Sequence, residues 1–144
     1  MNVTQRGIDI IKEFEGCKLT AYLCPAGKWT VGYGQTGSKI VEGVKWAQWQ
    51  ADEALAHHCE GLADHITKRL RVPVTQCQFD ALVCFVYNVG IGAFETSTML
   101  RLLNGGDYVG ASGQFGRWLN KGSTFEAGLR RRREAERQLF TCAC

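Results

Sequence analysis

The 144-residue sequence predicts an α+β fold in which a small sheet is confined to one end of a larger helical body. Three observations predict it. Strand-like residues gather in one short run, Trp29-Thr30-Val31-Gly32-Tyr33, beside the turn signal Pro25-Ala26-Gly27. Helical periodicity dominates from Trp46 onward. The order is one helix, one small sheet, one long helix and then several helices, so strands and helices are segregated rather than alternating.

The first helix carries the stripe Ile8, Ile10, Ile11 and Phe14, with Thr4 placed to cap its start and Gly16 to end it. Residues Lys18 to Gly34 read as a hairpin or small sheet, and Gly34 to Gly43 as a loop with one short strand. Leu55, Cys59, Leu62, Ile66 and Leu70 recur at steps of three and four. They predict a long helix that starts near Trp46 and ends before Pro73, which cannot continue it. Thr75 and Gln78 form a capping box ahead of Phe79, Leu82, Val83 and Val86, and this helix breaks near Asn88-Val89-Gly90. Short helices follow over Thr98 to Leu103, stopped by Asn104-Gly105-Gly106, and from Asp107 to about Trp118. Leu129 to Phe140 is the last. The chain is read as one domain of two lobes: residues 17–45 as the β lobe, 46–72 as a linking helix, and 73–144 as the helical lobe on which 1–16 pack. A cleft is expected between the sheet and the helical lobe.

Composition narrows the function classes. At 45% hydrophobic and 22% charged, the chain is that of an ordinary globular protein. A net charge of +3 is too small for a dedicated nucleic-acid binder and suits work on a polyanionic surface. Arg6, Asp9, Lys12, Glu13 and Glu15 break the N-terminal stretch, so no signal-peptide core is expected, and no apolar run reaches membrane-spanning length. The seven cysteines are odd in number and lack a CxxC pair. They read as reduced thiols, mostly packed as small apolar groups, with Cys142 and Cys144 as a frayed, incidental pair.

The stretch from Glu15 to Gly34 carries the chemistry. A carboxylic acid closes a helix, and a hairpin follows with a thiol at its turn, Cys24, and a hydroxyl on its second strand, Thr30. Folding the hairpin back over the helix end would gather the three groups around one pocket. Cleavage of a glycoside needs a proton donor on the leaving oxygen and a group acting on water at the opposite face. The negative end of the helix disfavours a second negative charge, which suits Glu15 to the donor role. The alternative is an ordinary exposed glutamate at a helix end.

The stretch resembles the phage-type lysozyme family of endolysins. That family carries Glu-Gly, an aromatic about six residues on, Asp or Cys, then Thr-x-Gly-x-Gly. Here these fall on Glu15-Gly16, Tyr22, Cys24 and Thr30-x-Gly32-x-Gly34. The resemblance continues through Gln78-Phe79-Asp80-Ala81-Leu82, Tyr87-Asn88-Val89-Gly90, Phe94, Ser97, Thr98, Asn104-Gly105-Gly106-Asp107, Trp118, Gly128-Leu129, Arg132-Arg133 and Glu136. It implies a lysozyme-like fold and hydrolysis of the β-1,4 bond between N-acetylmuramic acid and N-acetylglucosamine. It implies Glu15, Cys24 and Thr30 as catalytic residues, with Tyr22, Gly34, Asn88 and Arg132 binding substrate or supporting the site. Arg132 is the arginine expected to turn inward and pair with Glu15. Neither a metal nor another cofactor is implied. Cys24 would act as an anion, which needs a cationic neighbour such as Lys28. Gln35 stands where many members have His, so that histidine's hydrogen bond or ion pair is in question here.

The remaining clusters read as structural. His57, His58, Cys59 and His65 share the long helix, but adjacent positions point apart, so a metal site is not expected. Arg130 to Arg133 form the solvated face of an amphipathic helix with one inward arginine rather than a nucleic-acid patch. Trp29, Trp46, Trp49 and Trp118 are assigned to core or lobe contacts. The expected partners are peptidoglycan glycan strands and, indirectly, a membrane-permeabilising holin, with no nucleic acid, no stable membrane association and a monomeric chain. The expected location is the host cytoplasm until release, then the cell wall in the periplasm. A lytic transglycosylase and a non-catalytic wall-binding module are the rival readings.

Overall fold

The stripe and glycine stop around Glu15 produce helix α1, Gln5–Glu15, in a computed structural model that describes residues 1–144. Gly16 takes φ +66°, a conformation that costs a residue with a Cβ, and its N–H bonds the Lys12 carbonyl. Thr4 stands at the N-cap but does not cap with its side chain. Its backbone N–H (3.0 Å) and its hydroxyl both donate to the buried Asp80, so tertiary bonding replaces the expected local cap. Strands β1, Lys18–Leu23, and β2, Trp29–Gly32, pair antiparallel, with Tyr22 opposite Thr30 and Leu23 opposite Trp29. The expected short strand between Gly34 and Gly43 is absent. That segment contributes only an isolated bridge between Val31 and Gln35, and the chain returns to β1 through a bridge between Thr20 and Lys45.

The long helix is α2, Gln48–Arg69, with Ala51, Leu55, Cys59, Leu62, Ala63 and Ile66 buried. Leu70 lies just past its end, where extended backbone leads towards Pro73. The capping box is present as expected: the Thr75 hydroxyl accepts from the Gln78 N–H at 3.1 Å, and the Gln78 side chain accepts from the Thr75 N–H at 2.9 Å. It opens α3, Gln76–Val89, in which every residue from Phe79 to Val86 is buried. A helix buried on all sides is the hub of its fold. Helices α1, α2 and α7 (Glu126–Thr141) all pack on α3. At Gly7 a Cβ would lie 2.6 Å from Val3 Cγ2 and 3.2 Å from Asp80 Cβ, so glycine is what lets α1 lie this close to α3.

Between these run α4, Ile91–Glu95, α5, Thr98–Asn104, and α6, Tyr108–Ser112. Side chains of Ser97 and Asp107 cap α5 and α6. The helix expected from Asp107 to Trp118 is broken: α6 stops at Gly113, and a separate 3-10 turn covers Phe115–Arg117. The break lets Phe115 enter the core, where its ring meets Phe85 at 5.4 Å and Phe140 at 5.5 Å. α7 starts three residues earlier than its apolar periodicity suggests, at Glu126.

The cysteines divide differently from the expectation. Cys59 and Cys84 are buried free thiols, as read from sequence, and Cys17 and Cys24 are unbridged. Cys77 and Cys144, however, form a disulfide across 67 residues of sequence, with Cα atoms 5.9 Å apart. The terminal Cys-x-Cys is therefore neither frayed nor incidental. It is brought to the start of α3 by the packing of α7, which sequence spacing does not reveal.

Candidate active site

Glu15 is the last residue of α1, and its side chain is 20% exposed. Its Oε2 meets the Arg132 guanidinium at 3.3 Å, across 117 residues of sequence. Arg132 comes from α7 and is 4% exposed. It also donates to Glu136 at 3.2 Å and to the Cys84 carbonyl of α3 at 3.0 Å, and its guanidinium lies over the Phe14 ring. Glu136, fully buried, takes a second arginine: Arg133 donates to it at 2.6 Å, to the Trp118 carbonyl at 3.0 Å, and to the side-chain oxygen of Asn88. Burial pushes the Arg133 guanidinium below its ordinary value, and Glu136 opposes that shift. Two inward arginines share one carboxylate, where the sequence reading had a single inward arginine. Positions 132, 133 and 136 all lie in the sector of α7 that faces α3 and the 3-10 turn.

The hairpin presents the other predicted residues. Cys24 sits at its turn, partly exposed, with its N–H bonded to the Lys28 carbonyl at 2.9 Å. Its thiol is held below the ordinary cysteine value, first by hydrogen bonding with the Lys28 backbone; burial opposes this as the next largest effect, and Ala26 and Thr30 add smaller lowering contributions. The leading causes are hydrogen bonds of the loop rather than the charge of the Lys28 ammonium that the sequence suggested. Thr30 is 4% exposed and donates to the Lys28 carbonyl at 3.0 Å. Tyr22, opposite Thr30, is half-buried under the Lys18 ammonium. Gly34 is exposed just past β2, and Asn88 is exposed at the end of α3.

Two polar links fasten the sheet to the helices. The Tyr33 hydroxyl donates to Asp52 of α2 at 3.1 Å, and Asp52 also meets Lys12 of α1 at 3.4 Å. In the other link, Gln35 donates to the Tyr87 hydroxyl at 2.9 Å, and that hydroxyl donates to the Tyr33 carbonyl at 2.5 Å. Gln35 thus makes a structural hydrogen bond of its own. A cleft of about 1160 Å³ opens on Glu15, walled by Phe14, Asn88, Trp118, Phe125, Leu129 and Arg131. It lies among α1, α3, the segment 117–128 and α7, and Cys24 and Thr30 are outside its walls; a second cleft, of about 590 Å³, lies between the segment 34–40 that follows β2 and Ala54, His57 and His58 of α2.

Residues 12–136 match the phage lysozyme family. The chain belongs to that family. It is 41% identical to the endolysin of Acyrthosiphon pisum secondary endosymbiont phage 1, with 99% of this chain and 100% of that one aligned. It is 43% identical to the endolysin of Bacillus phage B103 over 97% of this chain, and it spans about half of that longer protein, 54%. Among solved structures, the muramidase domain of SpmX from Asticaccaulis excentricus superposes with a TM-score of 0.91 at 35% identity, covering 99% of both chains. The α+β arrangement read from sequence is the arrangement of this family.

The structure joins Glu15 to Arg132, gathers Cys24 with Thr30 on the hairpin, and places Asn88 on the wall of the Glu15 cleft. Sequence reasoning gave no role to Arg133, Glu136, Asp52 or Tyr87. For the first two a signal existed: Glu136 stands three and four residues after the two arginines, the spacing at which helical side chains meet. For Asp52 no local signal exists, because its partners come from distant elements; Tyr87 stood in the matching stretch Tyr87-Asn88-Val89-Gly90 but without a role.

Proposed function

We propose that this phage lysozyme hydrolyses the β-1,4 bond between N-acetylmuramic acid and N-acetylglucosamine in bacterial peptidoglycan, with Glu15 as the proton donor. The observation that carries this reading is the state of Glu15: one carboxyl oxygen is fixed by buried Arg132 while the side chain still faces an open cleft. With Oε2 held by Arg132, Oε1 carries the proton to the glycosidic oxygen. The bond to that oxygen breaks, positive charge develops on the sugar ring, and water adds to give a new reducing end. Cys24, its thiol pKa lowered by the turn backbone, acts with Thr30 from the hairpin, outside the walls of the Glu15 cleft, on the water or on the developing charge. Tyr22, Gly34 and Asn88 position the glycan. Asn88 gives its side-chain oxygen to Arg133, which leaves its amide N–H groups for the cleft.

The enzyme acts as a monomer without a cofactor. It is made in the host cytoplasm, and a holin gives it access to the wall. The deciding experiment adds purified protein to outer-membrane-permeabilised cells and analyses the released fragments by mass spectrometry. Clearing with reducing ends is expected. Anhydro-sugar ends would make it a transglycosylase instead, and absence of clearing would leave only a wall-binding role.

A further inference from the structure

Three sulfur atoms that the catalytic reading does not use meet where the C-terminal tail crosses the start of α3. Sγ of Cys77, Cys142 and Cys144 all lie within 4.8 Å of one another. Cys77 and Cys144 are bonded, and Cys142 Sγ stands 4.0 Å from Cys144 Sγ as a free, exposed thiol. Arg6 of α1 points its guanidinium at the same place, 2.9 Å from Cys77 Sγ and 3.6 Å from Cys144 Sγ. Cys77 is buried at 1% exposure while both tail cysteines are exposed, so an incoming thiolate reaches Cys144 first.

We propose that Cys77, Cys142 and Cys144 form a thiol–disulfide exchange centre that fastens the end of α7 to α1 and α3 under oxidising conditions and releases it by internal exchange. Fastening needs a small-molecule disulfide as oxidant: the Cys77 and Cys144 thiols lose two protons and two electrons, and one oxidant molecule becomes two thiols. Release consumes no oxidant. The Cys142 thiolate attacks Cys144 Sγ, a Cys142–Cys144 bond forms, the Cys77–Cys144 bond breaks, and the electron pair leaves on Cys77 sulfur. A guanidinium beside a sulfur favours its anionic form, so Arg6 stabilises that leaving thiolate. The three helices joined here also carry Glu15, Asn88 and Arg132. The centre therefore sets how firmly the helical frame of the site is held.

The test uses the full chain and reads the sulfurs directly, independent of any activity on cell walls. Protein oxidised with glutathione disulfide is acid-quenched, alkylated, digested without reductant and mapped by mass spectrometry. A Cys77–Cys144 peptide pair is expected, together with a melting temperature at least about 5 °C above that of the reduced protein, as a long closed loop implies. During reduction by glutathione, a transient Cys142–Cys144 species is expected in the wild type. In Cys142→Ser that species should be missing and the loss of the Cys77–Cys144 bond at least fivefold slower. Arg6→Gln should slow exchange, and Arg6→Lys should restore part of the rate. Because Cys77 is buried, Cys144→Ser serves as the variant without the bond, and it should melt like the reduced wild type. Failure to find the Cys77–Cys144 pair, equal reduction rates in wild type and Cys142→Ser, or stoichiometric zinc held by the reduced protein in native mass spectrometry would each overturn the proposal.

Discussion

Arg132 meets Glu15 only at Oε2, at 3.3 Å, so in the proposed role Oε1 is the oxygen left to face the glycosidic bond. Glu15→Gln keeps the shape and a hydrogen-bond acceptor for Arg132 but has no acid proton. Clearing of permeabilised cells should fall to under about a tenth, and in practice by the 10²–10⁴ range typical of a lost general acid, with the circular dichroism spectrum unchanged. Retention of more than a tenth of the activity would remove Glu15 from that role. At Cys24 the turn backbone lowers the thiol's pKa, so the anion is present above that lowered value and is lost as pH falls through it. The acid side of the pH–activity profile should therefore shift to lower pH in Cys24→Asp, whose carboxyl ionises near about 3.9. Cys24→Ala should lose most of the activity at every pH. A Cys24→Ala enzyme as fast as wild type would reduce Cys24 to a turn residue.

On α7, four consecutive arginines differ in what surrounds them. Arg130 reaches Glu126 at the surface, Arg131 lines the cleft, and Arg132 and Arg133 are sunk against a carboxylate with no exposure. Removing one member of a buried charged group typically costs about 3–5 kcal/mol, against under about 1 kcal/mol for an exposed pair. Arg132→Ala and Arg133→Ala should each lower stability in urea titrations by the larger amount, and Arg130→Ala by the smaller. Equal midpoints for all three would contradict the buried network. Periodicity made α1, α2, α3 and α5 legible to within a few residues, because an apolar stripe or a capping box is local information. It overextended the helix after Asp107, since the need to turn Phe115 inward is tertiary. The same divide runs through the candidate site: the proposed residues Glu15, Cys24 and Thr30 stand in one contiguous stretch, whereas the second inward arginine and the tail disulfide depend on which surfaces α7 meets.

Across the whole molecule, a two-stranded sheet is too small to be stable alone and relies on its anchors to the helices. Tyr87 is the more informative anchor, as its hydroxyl serves the Tyr33 carbonyl and Gln35 together. Tyr87→Phe should cost about 1–3 kcal/mol by leaving both partners short of a hydrogen bond. Hydrogen exchange should report the loss as faster opening of residues 29–35 than of α3; uniform acceleration would mean the anchor is not local. The separation of 117 positions between Glu15 and Arg132 has a consequence in time as well as in space. On the ribosome, at about 5–20 residues per second, Glu15 is made many seconds before residues 126–141 exist. Through that interval the nascent chain has its acid but neither the guanidinium that orients it nor the helix that closes the cleft around it. On the proposed role of Glu15, the growing polypeptide lacks the Arg132 side of its site until the last helix has been made and has docked.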